Sequence, residues 1–204
     1  MSAVDVGQLA PAQLAAYLDL EHEASAPYSA YVFASPDVAK AWSRHQLTSG
    51  AAEFGPPHGR AYVEGESVVA MAAWLNGAEL KRLRMKATLA LLKFPAFGED
   101  RTLGDRIRAA SSTLLSPGPE DMYLSRVAVD PNQRGQGRGR AILDDLASSA
   151  RSRGCQRLLL EVAEDRAPAV RLYERFGFAS LGVVRAPDQP NKPPLAYRQM
   201  VLVL

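Results

Sequence analysis

The sequence predicts an α/β (α+β) fold: a mixed sheet with helices packed on it, in a single domain spanning residues 1–204. Three observations carry this expectation. From Glu120 onward, strand-like and helix-like stretches alternate: "MYLSRVAVD", "RAILDDLASSAR", "RLLLEVA" and "PAVRLYERF". Two strands joined by a helix-length crossover pair in parallel through a right-handed connection. Upstream, "GRAYVEGESVVAMAAWLNG" reads as two strands turning at Gly65-Glu66, and downstream "FASLGVVRA" and "LAYRQMVLVL" read as a closing antiparallel pair.

Taken in order, Pro11 opens a helical pattern running to about Glu23, with Leu14, Tyr17, Leu18 and Glu21 on related faces. "SPDVAKAWSRHQL" follows as a second helix, with Ser35 as N-cap and Pro36 at the first helical position, where a missing N–H costs nothing. After the hairpin, "GAELKRLRMKATLALLKF" and "GEDRTLGDRIRAASSTLL" carry helical periodicity between Gly and Pro clusters. Residues 77–119 therefore read as a helical insertion before the central strand. That strand, 122–129, ends at the turn Asp130-Pro131-Asn132. Behind it Ile142, Leu143, Leu146, Ala147 and Ala150 form one apolar stripe.

Composition narrows the function classes. A net charge of +2 with 47% hydrophobic residues describes an ordinary globular chain. It is too mild for a nucleic-acid surface, and "RGQGRGR" lacks the interleaved aromatics of one. The single cysteine, Cys155, excludes an internal disulfide and fits a reducing compartment. His22, His45 and His58 have no metal-ligand spacing, so no metal is expected. The segment "MSAVDVGQLAPAQ" lacks the charged and apolar regions of a signal peptide, and "ATLALLKFPAF" is broken by Lys93 and Pro95. The expectation is a cytoplasmic protein without a membrane partner.

The most informative stretch is "NQRGQGRGRA", residues 132–141, where Gly135, Gly137 and Gly139 stand on alternate positions among Arg134, Gln136, Arg138 and Arg140. A strand here delivers the chain to a helix N-terminus, whose first amides lack intrahelical partners and whose dipole favours an anion. Glycine lets those amides turn inward and removes blocking Cβ atoms. The pattern is a phosphate cradle, yet it lacks the Lys-Ser/Thr ending of a P-loop and the third glycine of a dinucleotide fingerprint.

The spacing R-G-x-G-x-G resembles the acetyl-CoA pyrophosphate loop of the GNAT superfamily of N-acetyltransferases. The likeness continues through residues 158–178, "LLLEVAEDRAPAVRLYERFGF", which carries the pattern A-x-x-L-Y-E-x-x-G-F at Ala169, Leu172, Tyr173, Glu174, Gly177 and Phe178. It covers residues 120–180, an acetyl-CoA-binding core. The resemblance implies a mostly antiparallel sheet with a splayed central parallel pair and helices on both faces. It also implies that the pantetheine arm lies along Val127, Ala128 and Val129, with Leu172, Tyr173 and Arg175 beside the cofactor. Members often carry Asn seven residues before the Tyr; this chain has Arg166 there, which changes that contact.

For the chemistry, the resemblance makes Tyr173 the acid that protonates the leaving thiolate, and the Val127 amide region a donor to the oxyanion. Tyr173 shares a helical stripe with Ala169, Leu172 and Phe176, so the alternative is a core tyrosine. Glu161 is the only carboxylate in the apolar strand "RLLLEVA", where burial would raise its pKa toward that of a base. It stands twelve residues before Tyr173, as does a glutamate proposed as base in related ribosomal-protein N-terminal acetyltransferases. Its other reading is an ion pair with Arg126 on the neighbouring strand. Glu120, or a chain of waters, is the alternative base.

The acceptor side is less marked. In the superfamily it lies between the N-terminal helices and the closing strands, which points to Tyr28 and Tyr31 in "APYSAYVF" and to the turn "APDQPNKPP". Those aromatics would line a pocket or pin a loop to the core. The run Lys81, Arg82, Arg84, Lys86 would recognise an acidic acceptor or form a solvated face. Extra helices at 77–119 resemble those of antibiotic-modifying members, so a small-molecule primary amine is the expected acceptor, acetylated by direct attack in a ternary complex. A protein N-terminal or lysine acetyltransferase, and a non-catalytic acyl-CoA sensor, stay open as alternatives. The partners are thus acetyl-CoA and an amine, without nucleic acid, with a homodimer as the assembly to test.

Overall fold

The computed structural model describes residues 1–204. The chain opens with a four-residue strand, β1 (Ser2–Asp5), too short for any periodicity to reveal. Helix α1 runs Pro11–Val32, nine residues past the end expected from the pattern. Pro27 reads as a stop because it removes an amide donor. Yet Tyr31 and Val32 beyond it are fully buried, and tertiary packing of this kind overrides local propensity. "APYSAYVF" is therefore mostly helix, not loop. Helix α2 (Pro36–Thr48) starts as expected: Ser35 Oγ accepts from the Val38 amide at 3.3 Å.

The hairpin β2 (Gly59–Glu64) and β3 (Ser67–Asn76) turns at Gly65, whose φ of +58° suits glycine. Residues 77–119, expected to be a helical insertion, hold three helices, α3 (Gly77–Leu91), α4 (Pro95–Glu99) and α5 (Leu103–Ser111). Then come β4 (Asp121–Val129), α6 (Arg138–Ser152), β5 (Arg157–Ala163), α7 (Ala167–Phe176), β6 (Ala179–Arg185) and β7 (Ala196–Val203). One seven-stranded sheet takes them in the order β1-β2-β3-β4-β5-β7-β6. Every neighbouring pair is antiparallel except β4–β5.

Strand β3 shows why helices cover both faces. Ala70, Ala72 and Trp74 pack with Ile142, Leu143 and Leu146 of α6, while Met71 and Ala73 pack with Tyr17 and Leu20 of α1. Both sets of alternate residues are buried, as a strand sandwiched between helices requires. These helices build a further core in which Leu91, Phe94 and Leu103 meet Tyr31, Val32 and Phe33 from the end of α1.

The parallel pair positions the site. Only Asp121–Tyr123 pair with Arg157–Leu159. This end is clamped: Arg157 donates to buried Asp121 at 2.7 and 3.0 Å, and the Gly118 amide donates to the same carboxylate at 2.7 Å. Beyond it the strands part, because β4 stays paired with β3 to Val129 while β5 stays paired with β7 to Ala163. At the fork the β3–β4 register slips, Ala73 facing Arg126 and Trp74 facing Leu124, so Ser125 is an extra residue. Such a bulge re-aims the backbone that follows it.

Candidate active site

The gap between the splayed strands is a cleft of about 810 Å³, walled by Leu124–Val129 on one side and Leu160–Ala163 on the other. That volume lies in the range of cofactor and small-molecule sites. Its strand edge is unpaired. Asp130 donates to Val69 of β3 at 2.9 Å, and antiparallel amides alternate in direction, so the main chain of Val127 and Val129 turns into the cleft while that of Ala128 turns to β3.

At the mouth, Gly135 and Gly137 have φ of +76° and +78°, and a Cβ on either would meet no atom within 4 Å. They leave an open cradle. The first intrahelical bond of α6 is Ala141 N to Gly137 O at 3.1 Å, which leaves the amides of Arg138, Gly139 and Arg140 without helical partners. Gly139 has a different task, since a Cβ there would lie 2.8 Å from Leu172 Cδ2. It lets α6 approach α7. Free amides, open space and a helix N-terminus together fit a pyrophosphate.

The arginines around the cradle divide into two groups. Arg134 donates to the Val129 carbonyl at 3.0 Å and to Glu23 of α1; Arg138 holds Glu64 through both terminal nitrogens and reaches Gln136 Oε1 at 3.1 Å. Arg166 and Arg175 line the cleft and make no ion pair. Arg140 lies 5.4 Å from the Phe176 ring and 3.8 Å from Asp144. Gln136 does not line the cleft.

Tyr173 is buried on α7 and lines the cleft beside Leu172. Its ring packs edge-on against Phe178, with centroids 5.6 Å apart. Burial pushes the phenol up to about 12, so it stays protonated through the working range.

A second, smaller cavity of about 260 Å³ opens on the other side of the fork. The two share Ala24, Ser125, Arg126, Glu161 and Tyr197. Glu161 thus faces both. Its Oε1 accepts from the Leu115 amide and its Oε2 from the Tyr123 hydroxyl at 2.6 Å. Burial pushes this carboxyl above the usual carboxylate range, and those two donors offset part of the effect. Arg126 does not pair with it. Arg126 Nε instead donates to Glu21 at 3.2 Å, and the Ser43 hydroxyl donates to the other oxygen of Glu21 at 2.9 Å. A buried ion pair therefore ties α1 to the fork.

The sequence-derived site divides accordingly. Val127, Val129, Arg134, Gly135, Gly137, Arg138, Gly139, Arg140, Arg166, Leu172, Tyr173 and Arg175 gather around the cleft, and Tyr28 lines the smaller cavity. Glu120 does not join them: it is exposed at the clamped end of β4 and lines neither cavity. Tyr31 is fully buried and donates to the Pro187 carbonyl at 2.5 Å, pinning the β6–β7 connection instead of lining a pocket. The turn at 187–194 touches neither cavity. Arg84, from the basic run, lines the smaller cavity, and Glu21, Trp42 and Glu53 line it too without having been singled out as site residues. The one available signal was Glu21, a charge on the same helical stripe as Tyr17. No group of three or more His, Cys, Asp or Glu is set to hold a metal.

A model of the acetyltransferase (GNAT) family matches residues 20–178. The glucosamine 6-phosphate N-acetyltransferase of Trypanosoma brucei brucei is 31% identical over 109 residues, 51% of this chain and 71% of that protein. The streptothricin acetyltransferase of Streptomyces lavendulae is 36% identical over 90 residues, 44% of this chain but only 46% of that enzyme. The ribosomal-protein-S18-alanine N-acetyltransferase of Escherichia coli superposes with a TM-score of 0.55 over 99% of this chain and 92% of its own. At 19% identity that last likeness speaks for the fold alone.

Proposed function

The chain belongs to the GNAT family of N-acetyltransferases, acetyl-CoA-dependent enzymes, and from that premise we propose that it acetylates a small primary amine by direct attack in a ternary complex. The single observation that carries this reading is the junction. A cleft sized for acetyl-CoA and a 260 Å³ cavity meet at Glu161, a carboxyl held above its ordinary range.

Acetyl-CoA supplies the acetyl thioester. The amides of Arg138, Gly139 and Arg140 would hold its pyrophosphate, and the inward main chain of Val127 and Val129 its pantetheine arm, as an added strand edge. An amine arrives largely as ammonium, since a free alkylamine titrates near the lysine value of about 10.4. Glu161, ionised, takes its proton, directly or through one water. The nitrogen then forms the C–N bond as the C–S bond breaks, the Tyr173 hydroxyl gives its proton to the departing sulfur, and the second proton shed by the acetylated nitrogen returns the phenol to its neutral form. Glu120 is too far along the clamped end to share in this.

The acceptor class follows from the walls of the smaller cavity. Tyr28, Phe33, Trp42, Phe54, Tyr123 and Tyr197 make it aromatic, and Glu21 and Glu53 add negative charge beside Arg84 and Arg126. Its volume is below the usual range for drug-sized ligands, about 300–1,000 Å³. A compact cationic amine with an apolar body fits it better than a folded protein terminus. The insertion supplies Arg84, Ala87, Thr88, Leu91, Ile107 and Leu114, so it is a specificity wall. The single cysteine supports a cytoplasmic setting, and exposed Leu181 and Val183 on the outer strand β6 support a homodimer, to be checked by sedimentation.

The test is calorimetric titration with acetyl-CoA followed by thiol release across a panel: arylalkyl and aliphatic amines, glucosamine 6-phosphate, streptothricin and peptides with free N-termini. Binding with release from compact amines is the expected result. Release from peptides alone would move the acceptor to proteins, and binding without release from any amine would make the chain an acyl-CoA sensor. The Glu161→Gln variant should lose the acid limb of the pH–rate profile. In the parent enzyme that limb should lie above the ordinary glutamate value of about 4.3, because activity rises as the carboxyl ionises.

A further inference from the structure

Of the basic run on α3, Lys81, Arg82 and Lys86 are exposed and Arg84 alone turns inward. Its surroundings are specific. Arg84 Nη1 donates to the Leu115 carbonyl at 3.2 Å, Nε faces Glu53 Oε1 at 3.6 Å, and the guanidinium carbon lies 5.8 Å from the centroid of the Tyr123 ring. Leu115 and Tyr123 are the two residues that donate hydrogen bonds to Glu161. Arg84 therefore touches both groups that hold this carboxylate. Its Nη2 is buried without a hydrogen-bond partner.

We propose that Arg84 is the positioning residue for Glu161: it fixes the end of the helical insertion at Leu115 and the ring of Tyr123, and so makes proton removal from the acceptor depend on the insertion. This rests on the reading of Glu161 as the base. The insertion is then part of the proton-handling machinery as well as a wall. Its last helix ends at Ser111, and the segment leaving it carries Leu115, so displacement of that segment would release one of the two donors to Glu161.

The electrostatics can be separated from the geometry. Around Glu161 stand Tyr123 and Arg126 from β4, Tyr197 from β7, Glu21 and Tyr28 from α1, Glu53 from the segment before β2, and Arg84 from α3. Arg126 is engaged by Glu21, so Arg84 and Glu53 are the opposing influences of the insertion side. Arg84 favours the ionised carboxylate and Glu53 disfavours it.

The experiment measures kcat and KM across pH for Arg84→Met, Arg84→Lys and Glu161→Gln, with acetyl-CoA affinity and melting temperature as folding checks. Arg84→Met should lower kcat roughly tenfold and move the acid limb up by about 0.5–1 pH unit, with acetyl-CoA affinity unchanged. Arg84→Lys keeps the charge but cannot hold Leu115 and cover Tyr123 together. It should return the limb to the parent position while kcat stays low. If Arg84→Met misfolds, the lysine variant still decides through kcat. An unmoved limb or an unchanged kcat in a folded Arg84→Met variant would overturn the proposal, as would full activity in Arg84→Lys. A Glu161→Gln variant that retains the parent acid limb would instead overturn the base reading itself. If Glu161→Gln loses the limb and Arg84→Met does not move it, only the role of Arg84 fails.

Discussion

The two sides of the fork are built in opposite ways. The large cleft draws most of its lining from two short stretches, residues 124–140 and 160–176, closed by Glu23, Ala24 and Pro27 of α1 and by Tyr197, and its phosphate end is backbone: free amides, an unpaired strand edge and glycines with positive φ. The smaller cavity draws side chains from α1, α2, α3, α5, β4, β5 and β7. Backbone geometry is tolerant of side-chain change and suits a ligand that is the same throughout a family. A cavity of side chains collected across the chain is open to change at each position, and suits a ligand that differs between relatives. The comparison teaches where this protein is generic and where it is particular.

It can be broken on either side. The largest effect is expected from Gly137→Glu, which puts a carboxylate into the cradle and a side chain on a φ of +78°. Acetyl-CoA affinity measured by calorimetry should fall about 100-fold or more, roughly 2.8 kcal/mol, with the fold retained by circular dichroism. Unchanged affinity would remove the phosphate cradle. Next, Tyr173→Phe should lower kcat by about 10²–10³ with the acetyl-CoA Kd little changed. An equal loss in binding would mark the tyrosine as packing only.

A third substitution addresses the acceptor side alone. Ala87→Leu adds bulk to the insertion wall and should raise the acceptor KM about tenfold or more while leaving acetyl-CoA affinity intact. The smallest expected effect is from Arg166→Ala. Its exposed, unpaired guanidinium should contribute a two- to fivefold gain in acetyl-CoA affinity that fades with salt, because screening is strong at the surface. Titration at two ionic strengths checks it.

Legibility followed the same division. The glycine loop and the Ala169–Phe178 pattern were readable because the chemistry they support is local: amide direction, helix start and helix spacing are settled within a few residues. Ser35 and Gly65 were readable for the same reason. The run of α1 through Pro27 was not, since its stability comes from burial of Tyr31 and Val32 in a core made with Leu91 and Leu103. Nor was the choice of Arg84 over its three basic neighbours, which depends on where α3 meets Leu115 and Tyr123. Glu161 was legible as a carboxylate in an apolar strand, but its partners were not: Arg126 turned to Glu21, a residue 105 positions away.

The unpaired edge of β4 also bears on how the protein is handled. An inward main chain at Val127 and Val129 without a neighbouring strand is an open rung in the sheet, and an open rung can be filled by the wrong chain as well as by the proposed pantetheine arm. Bound acetyl-CoA is therefore expected to protect the fold as well as to react. At 100 times its dissociation constant it should add about 2.7 kcal/mol of stability. Protein purified and stored with the thioester or with CoA should outlast protein kept without either, and resist aggregation where the empty form does not.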